Sequence, residues 1–162
     1  MNSILTDGSL FLASLFTGFY AGTGFFIIMG GNPAILKMGN RTFAEYWQHT
    51  DFYMAARMKF FGPLLLLTLL STILMHIGEA RSAYFWLLIA AFLILVADIV
   101  VIFSKNHPLN RLIQSWDLNK LPGDVKGIKH KVVRVFWLRS AFMIGSFVCV
   151  LPAVFLRFLS VL

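Results

Sequence analysis

Histidines, side-chain amides, arginines and tryptophans recur in this chain in places where they could move a proton and hold the charge it leaves behind. His49 and His107 are candidate bases. Asn110, Gln48, Arg134 and Arg139 can donate hydrogen bonds to a developing oxyanion. Trp47, Trp116 and Trp137 can wall an apolar chamber. Such a set is the minimum equipment for taking a proton from a phenolic or enolisable, lipid-soluble substrate. The most distinctive stretch is His107-Pro108-Leu109-Asn110-Arg111-Leu112-Ile113-Gln114-Ser115-Trp116. Pro108 suits the first turn of a short helix. On that helix Asn110 or Arg111 shares a face with Gln114, while Leu112 and Trp116 share another.

Asp98 is the one carboxyl inside a long apolar segment. A charge at that depth costs a few kcal/mol unless it is paired, so Asp98 is expected to face protein and to meet a Thr or Tyr of the first span or an Arg at the inner mouth. The metal alternative, His49, His107 and His130 with Asp98, has no local ligand spacing to support it, and no metal or other cofactor is expected. His76 falls at the opposite end of the segments from the other three histidines, which argues against a bis-His haem, and is expected simply to reach water. The single cysteine, Cys149, cannot form an intrachain disulfide and is expected to pack.

The elements that must position these groups are membrane spans. Hydrophobic residues make up 59% of the 162, and charged residues only 13%. Segments 8–36, 60–78, 82–104 and 140–156 contain no charged residue but Asp98. A span needs about 20 apolar residues. The expectation is an all-α, four-transmembrane-helix bundle, one domain over 1–162, with spans near 9–30, 60–78, 83–104 and 138–158 and short interfacial helices in the two basic loops. Twelve of the fourteen Lys and Arg lie in 31–59 and 104–139, leaving Arg81 and Arg157 on the other side. The positive-inside rule then puts both loops in the cytoplasm and both termini outside, most naturally in a bacterial inner membrane. The net charge of +7 is explained by these flanking residues rather than by nucleic acid binding. The acidic start of the chain, with Asp7 and no basic residue through Ser9, is unlike a cleaved signal peptide, so the first span should stay.

Local signals refine the loops. Gly30-Gly31-Asn32-Pro33 should end the first helix, and Thr42-Phe43-Ala44-Glu45 has the spacing of a capping box that would start the next. Beyond it, Glu45, His49, Tyr53 and Arg57 recur every four residues as a titratable stripe, and Gly62-Pro63 should kink the passage into the second span. Gly18 and Gly22 make a small face, suited to close packing within the chain or to a homodimer.

The chain resembles a family of small four-helix membrane proteins grouped with the fungal anthrone oxygenases. The likeness runs through the Gly-rich first span, Asn32-Pro33-Ala34-Ile35-Leu36, Gln48, the His107–Trp116 stretch with its Pro-Leu-Asn turn, and Arg134 with Trp137 and Arg139. It implies an integral membrane protein whose characterised relatives oxidise an activated polycyclic phenol with O₂, without metal or flavin. Asp98 departs from that pattern. On this basis His107, Asn110, His49 and Arg134 are the expected catalytic residues, and Gln48, Trp47, Trp116, Trp137, Arg139 and Asp98 the substrate-binding ones. The expected partners are membrane lipid and a lipophilic small molecule. Two other function classes stay open: an oligomeric or proton-coupled carrier titrating Asp98, and a non-catalytic accessory subunit docking through the basic loops.

Overall fold

The computed structural model describes residues 3–159, and those residues form only helices and their connections. The helices are α1 (Ser3–Phe26), α2 (Asn32–Lys37), α3 (Asn40–Met75), α4 (Ala83–Val101), α5 (His107–Gln114) and α6 (Val125–Leu159). Four continuous helical runs are long and apolar enough to cross a membrane: Ile4–Lys37, Asn40–Met75, Ala83–Gln114 and Val125–Leu159. The protein is an integral membrane helix bundle. At 36 residues α3 is about 54 Å long, nearly twice a hydrocarbon core of roughly 30 Å. The excess length of the runs stands out as a second layer at the end bearing the basic loops, the basic end.

The anticipated loop helices are therefore extensions of the spans. Residues 30–33 do not end the first helix: Ile27–Gly31 widens into a π turn, with the Asn32 amide bonded to the Ile27 carbonyl, and α2 continues to Lys37. The third run repeats the device, with a π turn at Ile102–Asn106 and the His107 amide on the Ile102 carbonyl. Each π turn directly precedes a residue followed by proline, Pro33 or Pro108. A proline ring clashes with the carbonyl four residues back in an α turn, and a wider turn relieves the clash without breaking the rod. The capping box does not form either. Gly39 occupies the cap position of α3, with no side-chain cap. Pro63 lies within α3, which continues on both sides of it.

Each of α1 and α4 packs on both α3 and α6, so α1 and α4 stand diagonally opposite. Close approach of α1 to α6 depends on small residues. A methyl group added to Gly24 would come within 3.0 Å of the Met143 side chain and 3.3 Å of the Ser140 backbone, and one on Gly18 within 3.3 Å of Phe147. Gly22 has open space around it, so the small face is used inside the chain at Gly18 and Gly24. Two apolar cores result. The one between the spans includes Leu69, Leu88, Ala91, Met143 and Val150. The one in the basic layer includes Ile35, Phe43, Trp47, Ile113, Val125 and Val132. Burying each large side chain in such cores contributes about 1.5–3 kcal/mol in a watery layer; within the bilayer, packing rather than water exclusion holds the helices.

Candidate functional site

All four long runs meet at one buried polar cluster. Tyr20 of α1 donates its hydroxyl to Asp98 Oδ2 of α4. Arg139 of α6 donates from Nε to Asp98 Oδ1 at 3.1 Å and from Nη2 to the Tyr20 hydroxyl at 3.0 Å. The three residues are 6%, 1% and 7% exposed. From α3, Phe61 lies against the Tyr20 ring at 6.4 Å between centroids and edge-on to Phe16 at 6.0 Å. Phe136 lies beneath the Arg139 guanidinium at 5.3 Å. An isolated carboxylate here would carry a penalty of several kcal/mol, and the guanidinium and phenol offset it by neutralising the charge and filling its lone pairs. As expected, then, Asp98 faces the bundle interior, and its partners are a tyrosine of the first span and an arginine of the mouth. The arrangement has one strong acceptor, a hydroxyl that both accepts and donates, and a fixed cation, within apolar walls. Those are the groups that proton removal and oxyanion stabilisation require.

The basic layer holds a second, different cluster. Trp47 donates to Asn110 Oδ1 at 3.1 Å, and the Asn110 amide donates to Asp51. Gln48 Nε2 donates to the carbonyls of Ile113 at 2.8 Å and Trp116 at 3.0 Å. Gln114 returns bonds to the Gln48 carbonyl at 2.9 Å and to Asp51 at 3.2 Å. The Ile113 carbonyl, in the last turn of α5, accepts the Trp116 amide hydrogen at 3.2 Å as well. These contacts lock the first half of α3 to α5, and Trp116 packs edge-on to Phe43 at 6.5 Å beneath them.

The segments around His49 and His107 thus come together, but the imidazoles do not lead the contact. Both are exposed, and neither forms a hydrogen bond or ion pair among the described residues. His49 falls on the side of α3 turned away from Trp47 and Asp51, since two residues advance a helix by about 200°. Arg134 and Trp137 are exposed on α6, whereas Arg139 is buried. His130 is exposed too, and among the described residues no three His, Cys, Asp or Glu side chains form a group able to hold a metal ion.

Sequence reasoning did not place Asp51, Phe61 or Phe136 at a site, and reached Tyr20 only as a tyrosine of the first span that could meet Asp98. Tyr20 had a usable signal, as the only phenol in the first apolar segment. A third cluster, at the end opposite the basic layer, was missed as well. Arg157 bonds Asp7 at 3.2 Å and Glu79 at 3.0 Å, and Glu79 also accepts from Tyr84. His76 belongs to this cluster, and the expectation that it reaches water is overturned: it is 1% exposed, tied to the Thr72 carbonyl at 2.9 Å and edge-on to Tyr84. Nδ1 is satisfied by the helix carbonyl, whereas Nε2 is buried with no hydrogen-bond partner among the described residues. A groove of about 420 Å³ beside this cluster, lined by Asp7, Phe11, Arg157 and Phe158 among others, opens outward between α1 and α6, far from Asp98.

A family model described as anthrone oxygenase matches residues 50–149, well over half of the chain. The match takes in Asp51, Asp98, Asn110 and Arg139 and stops short of Tyr20, Trp47 and Gln48. No curated protein and no solved structure matches the chain. That match, over a chain with four membrane-length helices, identifies the chain as a member of the anthrone oxygenase family.

Proposed function

We propose that the protein is a membrane oxygenase that converts the activated methylene of a lipophilic, enolisable aromatic to a carbonyl with O₂, and that it does so at the Tyr20–Asp98–Arg139 cluster. The observation that carries the reading is the placement of a carboxylate, a phenol and a guanidinium in mutual contact inside apolar walls contributed by four helices. Asp98 takes a proton from the substrate carbon. The Tyr20 hydroxyl and the Arg139 guanidinium then donate to the enolate oxygen. The electron-rich enolate passes an electron to O₂, and recombination of the radical pair forms the new C–O bond. The proton held by Asp98 completes a hydroperoxide. Loss of the second C–H proton with cleavage of the O–O bond leaves the carbonyl and releases water. The balance is one methylene and one O₂ in, one carbonyl and one water out, with no external reductant. His107 and Asn110 support the reaction in this reading by holding or flanking the α3–α5 contact.

The basic end is the cytoplasmic one in this proposal, because the Lys and Arg residues gather there. Cysteines introduced at Lys126 and at Arg81, in a Cys149→Ser background, should be labelled by an impermeant maleimide only from the inside and only from the outside, respectively. The activity test uses anthrone as substrate with purified protein in detergent, following O₂ uptake and anthraquinone absorbance above the spontaneous rate. Turnover should be lost by tens-fold or more in Asp98→Asn. No turnover above a detergent blank, or an undiminished Asp98→Asn, refutes the assignment.

A further inference from the structure

The Tyr20–Asp98–Arg139 cluster is sealed, and the question is which wall opens. The four runs do not enclose it equally. Buried residues recur every few positions along α1 and α6, but in α3 none lies between Trp47 and Leu65. Past the Gln48 and Asp51 bonds to α5, α3 touches the bundle in that interval mainly through Met58 and Phe61, which are only partly buried. Phe61 stands against Phe16 and Tyr20, so it covers the cluster directly from the α3 side. Immediately after it come Gly62 and Pro63. Pro63 has no amide hydrogen, so the Lys59 carbonyl loses its helical bond. A methyl on Gly62 would meet no atom within 4 Å, so no neighbour braces the helix there. The same helix is pinned at one end by the Trp47 and Gln48 bonds and at the other by Leu65, Leu69 and Ile73.

We infer that a flat, lipid-soluble aromatic molecule reaches the cluster sideways from the bilayer, between α1 and α3, in a binding site walled by Phe16, Tyr20, Met58 and Phe61. The inference rests on the oxygenase reading for its ligand class and is independent of it in its test. A ring can replace the Phe16–Phe61 contact by stacking between the two side chains, and outward flexing of α3 at Gly62-Pro63 makes the room. The substrate then never crosses the polar lock of the basic layer.

Anthraquinone is the probe, because its photoexcited carbonyl abstracts hydrogen from nearby C–H bonds and cross-links without any turnover. Purified protein in lipid nanodiscs is irradiated with it, and the adducts are mapped by peptide mass spectrometry. Adducts are expected on residues 16–20 and 58–61, with yield reduced at least tenfold by an excess of a flat, tricyclic aromatic competitor such as dibenzofuran, which has no aliphatic C–H bond for the excited carbonyl to attack. Met58→Cys in a Cys149→Ser background, modified after purification with lipid-soluble N-phenylmaleimide, should lose that labelling by tenfold or more. The same modification at Leu93→Cys, on an exposed face of α4, should leave it unchanged. Adducts confined to residues 107–116 or to α4 and α6, no competable adducts, or equal labelling after Met58→Cys modification overturns the side approach. Labelling as expected with no anthrone turnover keeps the site and discards the oxygenase; turnover with labelling elsewhere does the reverse.

Discussion

The cluster in the spans and the lock in the basic layer are both polar contacts between helices, yet they are built from opposite materials. The first joins a carboxylate, a guanidinium and a phenol with almost no exposure; the second joins amides, an indole, backbone carbonyls and the Asp51 carboxylate, and although Trp47 and Ile113 are buried, Gln48, Asp51 and Asn110 are only half-buried and Gln114 is exposed. Amides aimed at helix carbonyls satisfy groups that the fold itself creates, so their chemistry is spent on architecture. A charge pair deep among apolar helices answers no such need. Leucines there would pack at least as well. The residues that carry much of the family resemblance, Gln48 and the Pro-Leu-Asn turn, build the lock, while the groups with spare chemistry lie one layer deeper.

The largest expected effect tests that contrast directly. Asp98→Leu strands the Arg139 charge and should lower stability by about 3–5 kcal/mol, read as thermal unfolding in detergent. Adding Arg139→Leu should restore most of the stability and none of the turnover. A double variant as unstable as the single one would make the pair structural and erase the distinction.

Tyr20→Phe keeps the ring against Phe61 and removes only the bridging hydroxyl. It should cost about 1–3 kcal/mol and lower kcat for anthrone tens-fold, with KM little changed. In the lock, Asn110→Ala leaves the Trp47 indole without its acceptor and should cost a similar 1–3 kcal/mol. Turnover per folded molecule should nevertheless stay within about threefold of the parent if the lock only positions α3 and α5, and a tens-fold loss would move the chemistry into the basic layer. The smallest effects belong to His107→Ala and Arg134→Ala. Both side chains are exposed, so each change should stay within about 0.5 kcal/mol and leave kcat unaltered.

Much of the architecture was legible because the bilayer asks a coarse question. Four apolar segments answer it without any detail of packing. Asp98 was legible for the same reason, since lipid exposure is the one option its charge forbids. Its partner was harder. Arg134 and Arg139 both sit at the mouth of the fourth span, but five residues turn a helix by about 140° beyond a full circle, and only packing decides which one faces inward. His49 and His107 show the limit of pattern reading, because an imidazole beside a hydrogen-bonded face looks much like one on it. Gly30-Gly31-Asn32-Pro33 misled for another reason. Glycine and proline mark a stop only when the helix has no wider turn to adopt, and backbone sterics alone do not reveal that it has one.

Each π turn is, in effect, one residue of surplus chain, taken up so that the helix beyond it stays in phase with the helix before it. Deleting Gly30 would let the backbone close into an ordinary α turn with Asn32 still at the Val133 carbonyl and Ile35 still in its core. The same excision near Ser104 would leave Asn110 facing Trp47 and Asp98 where it is. A deletion in the regular α segment after either proline would instead re-clock the basic layer against the membrane layer by about 100°, one run at a time. Relatives one residue shorter just before either proline would then present the same faces to the second layer and keep the buried charge pair intact.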